Sequence, residues 1–323
     1  MSQMIVNQAI AEALAEEMRR DPRVVMFGEG VATKRRDLVA EFGDARVRNT
    51  PLAEAIIAGT AAGAAATGLR PVIDLLFVPF ICYSMDQIVN SAGSLRYISG
   101  GQFSFPMVVM ALTGCGWTVG AQHNHNLESW FVHTPGVKVV MPSTPDDFKG
   151  LLKSAIRDDN PVLFFTDMVL GYQPGEVPEG EHVVPLGSAR VRRTGTDITL
   201  VSYAKMVHTC LEAAETLEAK GISADVIDLR SLKPLDEAAI LESARKTGRV
   251  IVVHEASRMC GVGAEVAAIV AEQAFSSLKA PVVRITGPDA PPPSSYVLEQ
   301  AFMPQAGRIV SEAEALMQAV VGA

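Results

Sequence analysis

Several residue groups in this 323-residue chain carry side chains able to do chemistry. His123-Asn124-His125 follows a glycine loop, Gly114-Cys115-Gly116, and places two imidazoles one residue apart. Such a pair can ligate a metal, but Glu128 and His133 are the only further ligands at suitable spacing. A loop histidine acting as general acid or base is the better-supported reading. His133, before Thr134-Pro135-Gly136, reads as structural. Glu54 closes the run Asn49-Thr50-Pro51-Leu52-Ala53-Glu54, where a helix is predicted over residues 51–67. Thr50 suits the cap and Pro51 the first helical position, so Glu54 falls in the first turn, where the helix dipole favours a carboxylate. Most glutamates so placed are ordinary helix-start acids. Phe77, Phe80 and Tyr83 follow a predicted strand; they form either core or a flat wall for a heteroaromatic ring.

Glycine chemistry is narrower. Gly28-Glu29-Gly30, Gly114-Cys115-Gly116 and Gly261-Val262-Gly263 are isolated Gly-x-Gly elements. None extends to the dinucleotide fingerprint, and no Gly-x-x-x-x-Gly-Lys phosphate loop is present. Cys82, Cys115, Cys210 and Cys260 are widely spaced, without a Cys-x-x-Cys pair, as expected for reduced thiols of a cytoplasmic protein.

The elements that must position these groups alternate between helix and strand. An amphipathic helix over residues 8–20 ends at Asp21-Pro22. Strand-like runs follow at 23–27, 72–77, 107–112, 137–141 and 162–165, with helices near 86–97 and from Thr144-Pro145 onward, where Asp147 takes a capping-box position. Residues 168–187, rich in Gly, Pro and Glu, read as a linker. A second set follows with strands at 198–203, 224–229, 250–254 and 282–285, a rigid turn at Pro291-Pro292-Pro293, and a closing helix over 311–321. Short β-branched runs separated by helices imply α/β units with parallel sheets and helices on both faces. In the helix after Pro51, Ala55, Gly59 and Gly63 recur every fourth residue. That ridge of small side chains invites close packing of another helix, at a propensity cost of about 1 kcal/mol per glycine.

Composition bounds the ligand classes. Hydrophobic residues make up 48% and charged residues 20%, and mean hydropathy is +0.21. These values exclude a disordered or collagen-like chain, and the length is that of two domains. A net charge of -8 argues against nucleic acid as the main ligand. Tyr97 to Leu127 holds no charged side chain, yet its glycines, Pro106, histidines and amides exclude a membrane span. Such a stretch suits a buried cavity or a subunit contact, and the apolar surplus points to a large permanent interface.

Taken together, these segments resemble the beta subunit of the thiamine-diphosphate-dependent decarboxylase component of 2-oxo acid dehydrogenase complexes, the pyruvate, acetoin and branched-chain types. The resemblance runs through Arg46 to Glu54, Asp86-Gln87-Ile88-Val89-Asn90, Arg96 to Gly101, Val132 to Val140, Lys149 to Pro161, and Val226 to Asp236. It implies two three-layer parallel-sheet domains of transketolase type. These are a pyrimidine-binding domain over 1–175, a linker over 176–190 and a transketolase C-terminal-like domain over 191–323. It implies that Glu54 contacts a ring nitrogen of the cofactor's aminopyrimidine and, by sharing a proton there, favours its imino tautomer. Leu52 and Phe80 would line the pyrimidine with Tyr83 nearby, and His123 would serve the substrate end as proton donor or anion stabiliser. Met107, Ala155, Ile156, Asp158 and Asn160 match a potassium site built mostly of carbonyl oxygens.

The resemblance also accounts for a missing motif. No Gly-Asp-Gly followed by paired asparagines, the arrangement that holds the cofactor's magnesium, occurs in the chain. In this family a separate alpha subunit grips the diphosphate and magnesium. The implied assembly is an alpha2beta2 tetramer in the cytoplasm, passing an acyl group to a lipoyl-bearing acyltransferase, with neither nucleic acid nor membrane as partner. The chain departs from the family where His-Ser-Gln is usual and it has His123-Asn124-His125. Met110 stands for a usual arginine, Thr166-Asp167-Met168 for a Glu-x-Lys pattern, and the segment over 31–42 is short. A split transketolase-like carboligase subunit and a non-catalytic assembly subunit are the alternatives.

Overall fold

The computed structural model describes residues 1–318. Two compact units emerge: residues 1–113 with 130–186, and residues 114–129 with 187 onward.

The first unit is built on parallel strands. In chain order its elements are β1 (Ser2–Ile5), α1 (Val6–Arg20), β2 (Val24–Gly28), β3 (Val47–Asn49), α2 (Glu54–Ala66), β4 (Arg70–Phe77), β5 (Val108–Thr113), β6 (Lys138–Val140), α3 (Pro145–Arg157), β7 (Val162–Asp167) and β8 (Pro174–Val177). Its strands lie in the order β6-β7-β5-β4-β2-β3. Val72 sits beside Met26 on one side and Val108 on the other. Central strands covered on both faces read as continuous apolar runs, and every residue of β7 is buried.

Helix α1 buries Val6, Ala9, Ile10, Ala13, Leu14 and Met18, the stripe expected of a helix with one face in the core. It packs on α3. Between them Lys149 and Lys153 are buried to 2% and 0% side-chain exposure and are matched by acids. Glu16 meets Lys149 at 2.8 Å and Lys153 at 2.6 Å, and Glu181 meets Lys153 at 2.6 Å. The segment that reads as a linker thus folds onto the first unit: β8 pairs antiparallel with β1, and Glu181 also holds Arg157. Edge pairing and long-range ion pairs leave no local periodicity for a sequence to show.

The second unit contains β9 (Arg190–Arg193), β10 (Ile198–Ser202), α4 (Met206–Glu218), β11 (Ala224–Asp228), α5 (Glu237–Thr247), β12 (Val250–Ser257), α6 (Val262–Gln273), β13 (Val283–Gly287), α7 (Tyr296–Phe302) and α8 (Ala306–Gln318). The sheet order is β13-β12-β10-β11-β9, parallel except for β9. Its core joins Leu200, Val226, Ile251 and Ile285 of the strands to Ala213, Leu217 and Ile309 of α4 and α8. The end of the predicted closing helix, residues 319–321, lies outside the described residues. No helix among the described residues is long and apolar enough to cross a membrane.

Candidate active site

Helix α2 begins at Glu54 with Ala53 as its N-cap, three residues later than the sequence predicts. Thr50 does not cap it. Its backbone N–H donates to the Gly28 carbonyl at 3.0 Å, so the chain is still bound to the edge of β2 and stays outside the helix. Glu54 is therefore the first helical residue, half-buried, beside the free N–H groups of the opening turn.

The aromatic run arrives through a kink. At Leu76 the backbone turns left-handed (φ 65°), and the Leu76 N–H is held by the Asp74 carboxylate at 2.9 Å. The register between β4 and β5 shifts at this point, as a β-bulge does when it re-aims a strand end. A 3-10 turn over Val78–Ser84 follows and packs against α2. Phe80 meets Phe77 edge-on, with centroids 5.8 Å apart and planes at 84°. Leu52 and Tyr83 are 68% and 70% exposed. Glu54, Leu52, Phe80 and Tyr83 thus belong to one unit, with the helix of Glu54 packed against the turn of Phe80 and Tyr83. That combination suits the pyrimidine end of a cofactor: a flat ring to cover and a ring nitrogen to bond.

Of the small-residue ridge, Gly59 backs onto the side chain of Gln87, where an added Cβ would sit 3.4 Å from Cγ. Gln87 lies in the π-helical stretch Asp86–Gly93. Gly63 has nothing within 4 Å. Beside α2 runs an apolar cavity of about 370 Å³, lined by Pro51, Ala53, Ile56, Thr60 and the strand residues Met26 and Arg48; Glu54 does not line it.

His123 belongs to the second unit, on the segment 114–129. It sits in a one-turn helix, Ala121–Asn124, entered through Gly120, whose φ of 81° suits glycine. Two buried acids hold the segment. Glu255 accepts from the Cys115 N–H and, at 3.3 Å, from Asn126 Nδ2; Lys205 pairs with Glu255 and donates to the Cys115 carbonyl. Glu299 accepts from Gly116 N–H at 2.9 Å, Thr118 N–H at 3.1 Å and Asn124 Nδ2 at 3.0 Å. Tyr203 OH donates to Glu128 at 2.7 Å, and burial pushes the Glu128 carboxyl above its ordinary range. Burial also lowers the His125 imidazole and raises the Cys115 thiol, keeping both neutral.

These acids and Lys205 escape sequence reading. A faint signal exists in Gly261-Val262-Gly263. A Cβ on either glycine would approach the His254 ring to 2.7 Å, so the pair makes room for a fully buried imidazole rather than for a phosphate.

The carbonyls expected to hold potassium are engaged within the chain. Arg70 donates to Ile156 O at 3.0 Å and Asp158 O at 3.1 Å, Val162 N–H donates to Met107 O at 2.9 Å, and Asp158 N–H to Ala155 O at 3.3 Å. Lys138 pairs with the Asp158 carboxylate, which also accepts from Asn160 Nδ2 at 2.9 Å. Two of these oxygens already face the Arg70 guanidinium, so only the second lone pair of each carbonyl is left for a hard cation. Of the family departures, Met110 is buried in β5 between Asp74 and Phe164, and Asp167 caps its own turn through Val169 N–H at 3.2 Å.

Comparison with known proteins also divides the chain in two, but places residues 114–129 with the first domain. Residues 2–170 match the transketolase pyrimidine-binding domain and residues 187–309 the transketolase C-terminal domain. The chain is 44% identical to the acetoin:2,6-dichlorophenolindophenol oxidoreductase subunit beta of Cupriavidus necator, covering 97% of each. It is 42% identical to the pyruvate dehydrogenase E1 component subunit beta of Rhizobium meliloti, covering 98% of this chain and 70% of that one. A solved structure described as a split gene transketolase, inactive beta4 tetramer, superposes with a TM-score of 0.81 at 26% identity, covering 97% of this chain and 98% of that one.

Proposed function

The chain belongs to the beta subunits of thiamine-diphosphate-dependent 2-oxo acid dehydrogenases, and from that premise we propose that it forms half of an active site completed by an alpha subunit. The substrate is a pyruvate-like 2-oxo acid or acetoin. When bound, thiamine diphosphate would supply a nucleophilic carbon for the keto group and an electron sink for the pair left by the C–C bond that breaks, whether the departing group is carbon dioxide from a 2-oxo acid or acetaldehyde from acetoin. Glu54 holds a proton against a ring nitrogen of the pyrimidine, and Leu52, Phe80 and Tyr83 cover the ring and exclude water from it. His123 gives a proton to the oxygen on which charge develops. The alpha subunit holds the diphosphate and its magnesium. Carbonyls of Met107, Ala155, Ile156, Asp158 and Asn160 take a structural potassium ion through their second lone pairs. The assembly is an alpha2beta2 heterotetramer in the cytoplasm that hands its acyl group to a lipoyl-bearing acyltransferase.

One observation carries the reading: a helix-start carboxylate two residues from exposed Leu52, on a helix packed against the turn that carries exposed Tyr83, in a chain without any diphosphate-binding motif. Half a cofactor site is what a split enzyme requires. The test is to assay 2-oxo acid oxidation with an artificial electron acceptor for the chain alone and with its alpha partner. Activity is expected only in the pair; turnover by the purified chain alone would overturn the split site. The likeness to a split transketolase and the His123-Asn124-His125 substitution favour a carboligase as second reading, and ketol transfer exceeding oxidation in the same preparation would select it.

A further inference from the structure

We propose that Glu299 is a positioning residue for the reaction, clamping the backbone before His123 and the side chain after it so that the imidazole is presented in one orientation. The inference rests on His123 being the proton donor at the substrate end.

Glu299 is fully buried in α7, 175 residues beyond Asn124 in sequence. Its Oε1 receives Gly116 N–H, Thr118 N–H and Asn124 Nδ2, and its Oε2 receives Thr118 N–H again at 3.2 Å. Thr118 needs the help. Its φ of 55° lies in the left-handed region, which a β-branched residue avoids. A carboxylate taking its N–H with both oxygens offsets that strain through a charge-assisted bond. The chain then turns at Gly120, whose carbonyl accepts from both His123 N–H and Asn124 N–H at 3.1 Å. Asn124 returns to the same carboxylate, closing a loop around His123.

Glu255 grips the segment independently at Cys115 and Asn126. The outer ends therefore stay anchored when Glu299 is altered, and the Glu299 contacts fix the turn within them.

The test uses the assembled complex. Glu299→Gln keeps the shape but turns an N–H donor toward the Thr118 N–H. Hydrogen exchange at the Gly116 and Thr118 amides is expected to accelerate at least tenfold. The kcat is expected to fall about tenfold, with half-saturating thiamine diphosphate within twofold of wild type. Unchanged exchange, or faster exchange with unchanged kcat, would overturn the proposal.

Asn124→Ser, a milder change, is expected to lower kcat about threefold while the Gly116 and Thr118 amides stay protected. The double variant should lose no more than Glu299→Gln alone; fully additive losses would show that the two side chains act separately and sink the clamp. Exchange requires no substrate, so it decides the role of Glu299 whichever acyl or ketol donor the complex prefers. A fully active His123→Ala variant would remove the reading of His123 instead, whereas an impaired His123→Ala beside a wild-type-like Glu299→Gln would remove only this one.

Discussion

Glu54 owes its position to a hydrogen bond that is not its own. Because Thr50 stays bound to Gly28, the helix starts at Glu54, and the carboxylate sits among the unsatisfied N–H groups of the first turn instead of one turn inside. A group placed there can hold a proton for a partner ring without being sealed from it. Glu54→Gln keeps the size and polarity but cannot exchange that proton. In the assembled complex kcat is expected to drop by roughly 10²–10³-fold, the range of a lost acid–base group, with little change in thermal stability because the side chain is half-exposed. Stopped-flow decarboxylation together with a melting curve checks both halves; undiminished turnover would favour a non-catalytic subunit. A helix start near Glu54 was legible in the sequence because that grammar is local, but its exact place was not, since the Thr50–Gly28 bond that delays it joins two separate segments. Nor were Glu255 and Glu299, because their partners lie 140 and 183 residues away and no short-range pattern marks them.

The alternation of strands and helices was equally legible, since it too is written in short-range periodicity. What remained hidden were contacts between elements, and the β12–α6 junction shows how they work. His254 lies within β12, fully buried and stacked on Tyr203 with ring centroids 5.9 Å apart. Gly261 and Gly263 let α6 lie against the ring. Burial pushes the imidazole from its ordinary 6.5 to about 4. The unfolded chain therefore takes up a proton below about pH 6.5 that the folded chain refuses until about pH 4. Stability is full above that window and declines as pH falls through it, by at most about 3 kcal/mol. Urea denaturation between pH 4 and 7 should show this slope, and His254→Leu should flatten it; an unaltered slope in the variant would assign the effect to another group.

For the molecule as a whole, the apolar surplus in the composition demands a place to go. The charge-free stretch from Tyr97 to Leu127 divides at Gly114 between the two units. Its second part supplies the histidine segment and is held by buried acids. Its first part keeps apolar side chains outside: Tyr97 is 91% exposed, Ile98 70% and Phe103 49%. Three large apolar side chains within seven residues, next to Gly100 and Gly101, form a patch that water solvates poorly, and such patches mark subunit contacts. Tyr97 and Ile98 are mostly exposed in their own unit, so replacing either should leave the chain folded while weakening its assembly. Ile98→Asp would bury a carboxylate against an apolar partner surface, at a cost of several kcal/mol unless it finds a cation. The association constant with the alpha subunit, or between copies of the chain, is expected to fall at least tenfold. Sedimentation velocity across a dilution series, with the melting temperature of the isolated chain as the control for folding, measures that fall. If Tyr97→Asp and Ile98→Asp both assembled as tightly as wild type, the surplus would have to be covered elsewhere, with the exposed face of α2 at Ile56 and Gly63 the next place to test.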